Sequence, residues 1–235
     1  MGTCVVETIA HAPIGIFGGT FDPIHFGHLR LAEELAESLA LETVRFMPTG
    51  CPPHRKPPHT DAAHRLAMVQ RATQNNPRFE VDTREIAQQG ISYTVETLHA
   101  LRQELGSRRP ICLLLGADAF LGLPHWHHWE ELFDLAHIAV AHRPGFPQVA
   151  WQNAMPESLR GVLSSRQSTV TALQHAPAGN LVTLAITALD ISATHIRDTL
   201  QAGRNPRYLL PDTVLDYIYA HQLYLSPHIE NTSKL

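Results

Sequence analysis

Residues 18–28, with the sequence GGTFDPIHFGH, hold the side chains of this chain best suited to phosphate chemistry. The glycine pair that opens the run lets a ligand approach the backbone without a Cβ in the way. His25 and His28 bracket Gly27, so both imidazoles can lie beside the first turn of a helix predicted to begin near Leu29. Unpaired N–H groups and a partial positive charge make such a turn favourable for phosphate. The run therefore predicts a nucleotide-phosphate site, with two surface histidines near a turn as the alternative.

A second candidate phosphate-binding element lies near the other end of the chain. Ser192 and Thr194 directly precede a segment of helical periodicity, and Gly203 is a plausible stop for that helix. Arg197 falls about one turn into the helix. Hydroxyls, free N–H groups and a guanidinium at one helix end suit an extended polyphosphate. The alternative is that either hydroxyl is only an N-cap.

Short apolar runs alternate along the chain with segments of helical periodicity. The continuous apolar run at 111–115 is typical of a strand buried on both faces, as in a parallel sheet. The alternation predicts an α/β fold with a doubly wound, Rossmann-like, mostly parallel sheet and helices on both faces. Strands are predicted at 14–17, 43–47, 79–82, 111–115, 137–141 and 181–185, with helices capped at Asp61 and Thr94, around 156–163, and from Pro211 onward.

The loops that follow these strands hold most of the residues suited to chemistry. Ligands of such sheets bind beyond the carboxyl ends of the strands, which all meet at one edge. We therefore expect one site at that edge, built from residues 18–28, 52–56, 116–118, 142–145 and 191–197.

Composition and length narrow the class of protein. At 235 residues the chain suits a single domain, placed at 13–225, with 148–179 as a peripheral excursion and 1–12 and 226–235 as tails. A net charge of −4 argues against a general electrostatic attraction to nucleic acid. No apolar run reaches membrane-spanning length. Three widely spaced cysteines and no secretory-type N-terminus favour a cytoplasmic protein. The oligomeric state stays open, a homo-oligomer included.

Segments spread along the chain resemble the bacterial nicotinate mononucleotide adenylyltransferases of the nucleotidyltransferase superfamily. His25-Phe26-Gly27-His28 is similar to the superfamily's (His/Thr)-x-Gly-His element, and 191–197 to its Ile-Ser-x-Thr-x-x-Arg element, with Ala193 where serine is common. The likeness extends from about residue 14 to 224 and is weakest across 148–179. The other similar segments are GGTFDP at 18–23, PPHR at 52–55, SYT at 92–94, GAD at 116–118, 124–130 with Trp126, and RPG at 143–145.

The resemblance implies transfer of the AMP moiety of ATP to nicotinate mononucleotide, giving nicotinate adenine dinucleotide and pyrophosphate in NAD biosynthesis. The attacking phosphate monoester has a second pKa near ~6 and is already largely anionic at neutral pH. No strong base is then required, and we expect direct in-line attack, without a covalent intermediate, promoted by positioning and electrostatics. Mg²⁺ is expected to accompany the triphosphate, held largely by phosphate oxygens and water, with no protein metal ligand assigned.

The resemblance also implies roles for individual residues on the ATP side. His25 and His28 contact the phosphates, with His28 at the α-phosphate under attack, and Arg197 holds the β- and γ-phosphates together with Ser192 and Thr194. His25, His28 and Arg197 are thus the expected catalytic residues. The further expected ATP contacts are Gly18, Gly19, Thr20 and Phe21.

On the mononucleotide side, the resemblance implies that Trp126 stacks on the pyridine ring. Thr94 is expected to receive the nicotinate carboxylate or ribose, and Asp118 a ribose hydroxyl. The basic residues expected to serve this substrate are His54, Arg55, Lys56 and Arg143. The alternatives are an ordinary interfacial tryptophan, a helix-capping aspartate and a solvated basic loop.

Three rival functions follow from the same residues. Another transferase of the superfamily, acting on phosphopantetheine or a nicotinamide mononucleotide, would keep both phosphate elements. His125, His127 and His128 suggest a zinc site, although adjacent histidines rarely point at one ion and no cysteine completes the set. Nucleic-acid binding rests on the synthetase-like His-x-Gly-His alone and lacks a strongly basic face.

Overall fold

The computed structural model describes residues 11–50, 57–88, 90–142, 155–187 and 189–226. Their strands form one six-stranded sheet of order β3-β2-β1-β4-β5-β6, in which every neighbouring pair is parallel. The predicted doubly wound α/β fold is confirmed, and each predicted strand ends within two residues of the observed one. The strands are β1 (Ile14–Gly19), β2 (Thr43–Pro48), β3 (Phe79–Val81), β4 (Ile111–Gly116), β5 (His137–His142) and β6 (Leu181–Ala185).

Helices cover both faces of the sheet because the strands bury alternate side chains on opposite sides. In β4, Cys112 and Leu114 belong to one core cluster, while Leu113 and Leu115 belong to the other. The helices are α1 (Phe26–Ser38), α2 (Ala62–Thr73), α3 (Arg84–Ala87), α4 (Thr94–Leu105), α5 (Ala117–Leu121), α6 (Leu132–Leu135), α7 (Glu157–Arg166), α8 (Ala193–Gln201) and α9 (Asp212–Ala220). Helices α1, α2, α8 and α9 pack on the first cluster, and α4 to α7 on the second.

Helix starts show where sequence periodicity misleads. Helix α1 begins at Phe26 with His25 as its N-cap, three residues before the predicted Leu29. The prediction that Thr94 caps α4 is wrong, because Tyr93 is the N-cap and Thr94 is the first helical residue. Asp61 does precede α2 as predicted, but its side chain makes no capping hydrogen bond.

The described part of the predicted excursion, 155–179, carries α7 and the 3₁₀ turn Val170–Gln174. Met155, Leu159 and Leu163 are buried in the second core cluster, and Leu173 is buried in the first. This segment therefore contributes apolar side chains to both cores. Among the described helices, none combines the length and the apolar composition needed to cross a membrane.

Candidate active site

The loop after β1 and the start of α8 meet at the carboxyl edge of the sheet. A Cβ built on Gly27 would lie 3.5 Å from the carbonyl oxygen of Ile191, just before α8. Arg197, in the second turn of α8, donates from Nη1 to the backbone oxygen of Asp22 over 2.6 Å. The two elements that the sequence marks as phosphate-binding, far apart in the chain, are thus in direct contact.

His25 and His28 form a stacked pair at the N-terminus of α1. Their ring centroids are 3.8 Å apart with an interplanar angle of 24°. The backbone N–H of His25 donates to Nδ1 of His28 over 3.3 Å. Because a backbone N–H can only donate, Nδ1 of His28 is the acceptor and the ring proton of the neutral imidazole lies on Nε2. His28 therefore has a hydrogen-bond donor at Nε2.

Burial keeps both imidazoles neutral at pH 7. It lowers the pKa of His25 to about 4. It also lowers the pKa of His28 well below the usual range, and repulsion from His25 lowers it further. Nδ1 of His25 is buried and has no hydrogen-bond partner among the described residues. An unpaired polar atom at a helix N-terminus leaves this pair with hydrogen-bonding capacity for a ligand.

The depressed pKa of His25 predicts a loss of stability in acid. The unfolded state binds its proton near pH 6.5 and the folded state only near pH 4, so stability is complete above pH 6.5 and falls as the pH drops below it. Between pH 7 and 4.5 this single group should cost about 2–3 kcal/mol. His25→Asn should flatten the pH dependence of the free energy of unfolding, measured by urea denaturation.

The exposed His175 provides the matched control for that measurement. His175→Asn should keep the wild-type slope, whatever its effect on absolute stability. Equal slopes for His25→Asn and wild type would show that His25 titrates normally in the folded protein.

The backbone at the end of β1 is shaped around Phe21. A Cβ on Gly19 would lie 2.8 Å from the buried Phe21 ring, so a larger residue there would force that ring to shift. Phe21 has φ of 50°, in the left-handed region, and its ring packs edge-on to His28 with centroids 5.1 Å apart. A Cβ on Gly18 would meet no atom of the described residues within 4 Å, so a ligand can approach the backbone at that point.

Arg65 is a site residue that the sequence interpretation missed. Its side chain is 1% exposed, and Nη1 donates to the backbone oxygen of Thr20 over 2.8 Å while Nη2 donates to Gly50 oxygen over 3.3 Å. It therefore ties the loop after β1 to the loop after β2. The signal was available, because Arg65 lies three and four residues before the buried Met68 and Val69 and so shares their helix face.

Asp22 is the second missed residue. It is 4% exposed, and its carboxylate accepts three hydrogen bonds. Oδ1 accepts from the hydroxyls of Thr60 at 2.8 Å and Tyr224 at 2.6 Å, and Oδ2 accepts from the backbone N–H of His59 at 2.6 Å. Asp22 thus joins the β1 loop to the segment before α2 and to the residues after α9.

At the start of α8, Ser192 and Thr194 have different partners. Ser192 is the N-cap, and its Oγ accepts from the backbone N–H of His195 over 3.1 Å. Thr194 Oγ1 accepts from Nη2 of Arg197 over 3.1 Å. Gly203, with φ of 67°, follows the end of α8 as predicted. Arg197 is thereby held by Thr194 on one side and by Asp22 on the other.

Three of the residues expected to bind the mononucleotide are described: Asp118, Thr94 and Trp126. Asp118 is in the first turn of α5, directly after β4, which neighbours β1 in the sheet. Thr94 opens α4, and the half-buried Trp126 packs against the second core cluster. His54, Arg55, Lys56 and Arg143 lie outside the described residues.

The loop after β2 also contacts the segment that leads into α4. A Cβ on Gly50 would lie 2.2 Å from the backbone oxygen of Glu85, whose buried carboxyl group accepts from Ser92 at 3.3 Å and Thr97 at 2.9 Å. Burial raises the pKa of Glu85. The loops that meet at the carboxyl edge of the sheet, here called the rim, are therefore in contact from the β1 loop to the start of α4.

The histidines at 125–128 are arranged for ring contacts. His127 lies against Tyr93 with centroids 4.4 Å apart, and against His128 at 4.0 Å. Within the described ranges, no three His, Cys, Asp or Glu side chains are placed to hold a metal ion together. The zinc hypothesis therefore gains no support from these residues.

Comparisons with known proteins identify the family and the fold. Residues 16–199 match the family model described as cytidylyltransferase-like. The chain is 52% identical over 213 residues to a probable nicotinate-nucleotide adenylyltransferase of Dechloromonas aromatica, covering 90% of this chain and 97% of the relative. It is 48% identical to one from Acidithiobacillus ferrooxidans, covering 94% and 100%. In fold it is similar to Plasmodium falciparum nicotinic acid mononucleotide adenylyltransferase complexed with NaAD, with a TM-score of 0.68, 19% identity and coverage of 91% and 98%.

Proposed function

We propose that this chain, which belongs to the cytidylyltransferase-like family and within it to the nicotinate-nucleotide adenylyltransferases, transfers the AMP moiety of ATP to nicotinate mononucleotide. The products are nicotinate adenine dinucleotide and pyrophosphate. The observation that carries the proposal is the contact between the His25–His28 turn and the Arg197 turn. Two helix N-termini, two imidazoles and one guanidinium are thereby gathered where a triphosphate can lie.

The proposed mechanism is direct attack of the mononucleotide phosphate on the α-phosphorus of ATP. The P–O bond to the new dinucleotide forms as the bond to pyrophosphate breaks. His28 is unsuited to act as a nucleophile, because its Nδ1 accepts from His25 and its Nε2 carries the proton. The Cys112 thiol is buried within β4, and burial raises its pKa to about 12. Neither group favours a covalent intermediate.

In this mechanism the two elements have separate tasks. His28 donates from Nε2 to an oxygen of the α-phosphate, where charge builds up during transfer. Arg197, held by the Asp22 carbonyl and by Thr194 Oγ1, binds the β- and γ-phosphates through its other N–H groups, with Ser192 beside it. The backbone of residues 18–21 lies close to the triphosphate, and the His25 ring stacks on the His28 ring. MgATP is the substrate, and the ion is held by phosphate oxygens and water.

The second substrate occupies the other side of the rim. Trp126 stacks on the pyridine ring, while Thr94 and the free N–H groups at the start of α4 receive the carboxylate. Asp118 accepts from a ribose hydroxyl. The basic side chains of His54, Arg55, Lys56 and Arg143 serve the mononucleotide phosphate.

Replacing Trp126 tests the assignment of the pyridine site. Trp126→Ala should raise KM for nicotinate mononucleotide roughly 5- to 150-fold, since ring stacking contributes about 1–3 kcal/mol per base. KM for ATP should stay within about twofold. Trp126→Phe keeps an aromatic face and should recover most of the affinity. An equal rise in both KM values would instead indicate a packing role against the second core cluster.

The activity itself is tested by incubating the purified protein with MgATP and each candidate acceptor. Nicotinate mononucleotide, nicotinamide mononucleotide and phosphopantetheine are compared by pyrophosphate release and by mass spectrometry of the product. Nicotinate adenine dinucleotide should be the main product at equal acceptor concentration. A clear preference for another acceptor would overturn the substrate assignment while retaining the transferase chemistry.

A further inference from the structure

A single buried carboxylate links the ATP side of the rim to the end of the described chain. Tyr224 lies four residues beyond the end of α9, yet its hydroxyl donates to Oδ1 of Asp22 over 2.6 Å. The Thr60 hydroxyl donates to the same oxygen and lies 3.2 Å from the Tyr224 hydroxyl. Asp22 thus gathers donors from segments 38 and 202 positions away along the chain.

The same residue presents its backbone to Arg197. The side chain of Asp22 is fixed by three donors, while its carbonyl oxygen accepts from Nη1 of Arg197 over 2.6 Å. A shift of the Asp22 peptide would therefore move the guanidinium. Charge-assisted hydrogen bonds to a carboxylate are short and strong, and three of them fix its position closely.

Tyr224 has a backbone conformation that is uncommon for residues other than glycine. Its φ is 59°, in the left-handed region that favours glycine. The next residue but one, Ser226, donates from Oγ to the Gln201 carbonyl at the end of α8 over 2.9 Å. Burial and the neighbouring Asp22 raise the pKa of Tyr224, so its hydroxyl remains a proton donor across the range in which enzymes work.

From this arrangement we propose that Tyr224 is a positioning residue for ATP, acting through Asp22 on Arg197. The hydroxyl fixes the Asp22 carboxylate, the Asp22 peptide presents its carbonyl, and that carbonyl holds the guanidinium ready at the triphosphate site. The inference rests on the proposed function for the role of Arg197 in binding ATP. It adds that the segment after α9 sets the affinity for ATP without touching it.

The first test is Tyr224→Phe, which removes only the hydroxyl. We expect Kd for a non-hydrolysable ATP analogue, measured by calorimetry, to rise about five- to twentyfold. KM for ATP should rise in parallel, while KM for nicotinate mononucleotide should stay within about twofold. Tyr219→Phe on α9 is the matched control, because Tyr219 is 44% exposed, and it should bind the analogue like wild type.

The second test separates positioning from a general loss of stability. If Tyr224 acts through Arg197, then Tyr224→Phe should weaken analogue binding no further in an Arg197→Ala background. A variant that is merely less stable would lose binding equally in both backgrounds, or would unfold at lower urea with unchanged Kd, and either result would overturn the inference.

The same measurements distinguish the two proposals. An ATP analogue is bound before any acceptor enters, so transfer to an unexpected acceptor would overturn the proposed substrate and leave the Tyr224 test valid. Wild-type activity with an unaffected Tyr224→Phe would overturn only the positioning role. A wild-type protein that binds no ATP analogue would remove both.

Discussion

Replacing His28 with alanine is expected to lower kcat by about 10²–10³-fold, the loss typical of removing one preorganised donor to a developing oxyanion. The reason is the tautomer, since Nδ1 accepts from the His25 backbone N–H, so Nε2 carries the proton and is the donor proposed for the α-phosphate. The imidazole is neutral at pH 7 because burial and His25 lower its pKa, so it acts by hydrogen bonding. Steady-state kinetics with MgATP and nicotinate mononucleotide measure the effect.

Two amide variants of His28 separate its role as a hydrogen-bond donor at Nε2 from its role in capping α1. The Asn side chain can place an acceptor where Nδ1 lies and so keep the cap, but it has no group at the Nε2 position. The Gln side chain can place an N–H donor near that position. His28→Gln should therefore retain more activity than His28→Asn, and both should give far-ultraviolet circular dichroism like wild type. Activity near that of wild type in His28→Asn would instead indicate that His28 serves only to cap α1.

The fold could be predicted largely because a central strand, β4, is apolar along both of its faces. The sequence ICLLLG in β4 has no polar position, and the side chains divide between two cores that flank the sheet. That pattern is typical of strands covered by helices on both faces. Since parallel strands end at a shared edge, the order of the loops alone predicts that the candidate residues lie at that edge.

The start of α1 shows the limit of periodicity. Phe26 is exposed and Gly27 has no side chain, so the first turn carries no apolar repeat and the helix pattern is visible only from Leu29. Glycine is favoured at 27 because a Cβ there would lie 3.0 Å from the His25 ring. The turn that holds the candidate phosphate contacts His25 and His28 therefore carries no helical signal in the sequence.

Asp22 and Tyr224 could not be paired from the sequence. Their contact spans 202 positions, and neither local spacing nor amphipathic pattern marks it. Asp22 sits in a segment whose glycines and histidines suggest phosphate binding, so its carboxylate is easily taken for that of a turn residue. Only the tertiary structure shows that it is buried and accepts three hydrogen bonds. In general, polar side chains that are buried by segments distant in the chain are the ones that a single sequence does not reveal.

Arg197→Ala is expected to reduce kcat/KM for ATP roughly 10²-fold or more, since hydrogen bonds to charged groups contribute about 1.5–3 kcal/mol each. The guanidinium holds two oxygens at once, with Nη1 on the Asp22 carbonyl and Nη2 on Thr194 Oγ1. A guanidinium carries five N–H donors, so others remain for the oxygens of adjacent phosphates. Arg197→Lys keeps the charge but offers a single ammonium, so it should recover only part of the loss, as measured by initial rates over a range of ATP concentrations.

Arg204, an exposed arginine just beyond α8, supplies the control for charge alone. Arg204→Ala removes one positive charge, as Arg197→Ala does, but near the opposite end of α8. It should leave kcat/KM for ATP within about twofold, because exposed charges are screened by water and salt. Full recovery of activity in Arg197→Lys, or a comparable loss in Arg204→Ala, would mean that ATP binding depends on the local electrostatic potential alone. The paired geometry of the guanidinium with Asp22 and Thr194 would then have no part in binding the triphosphate.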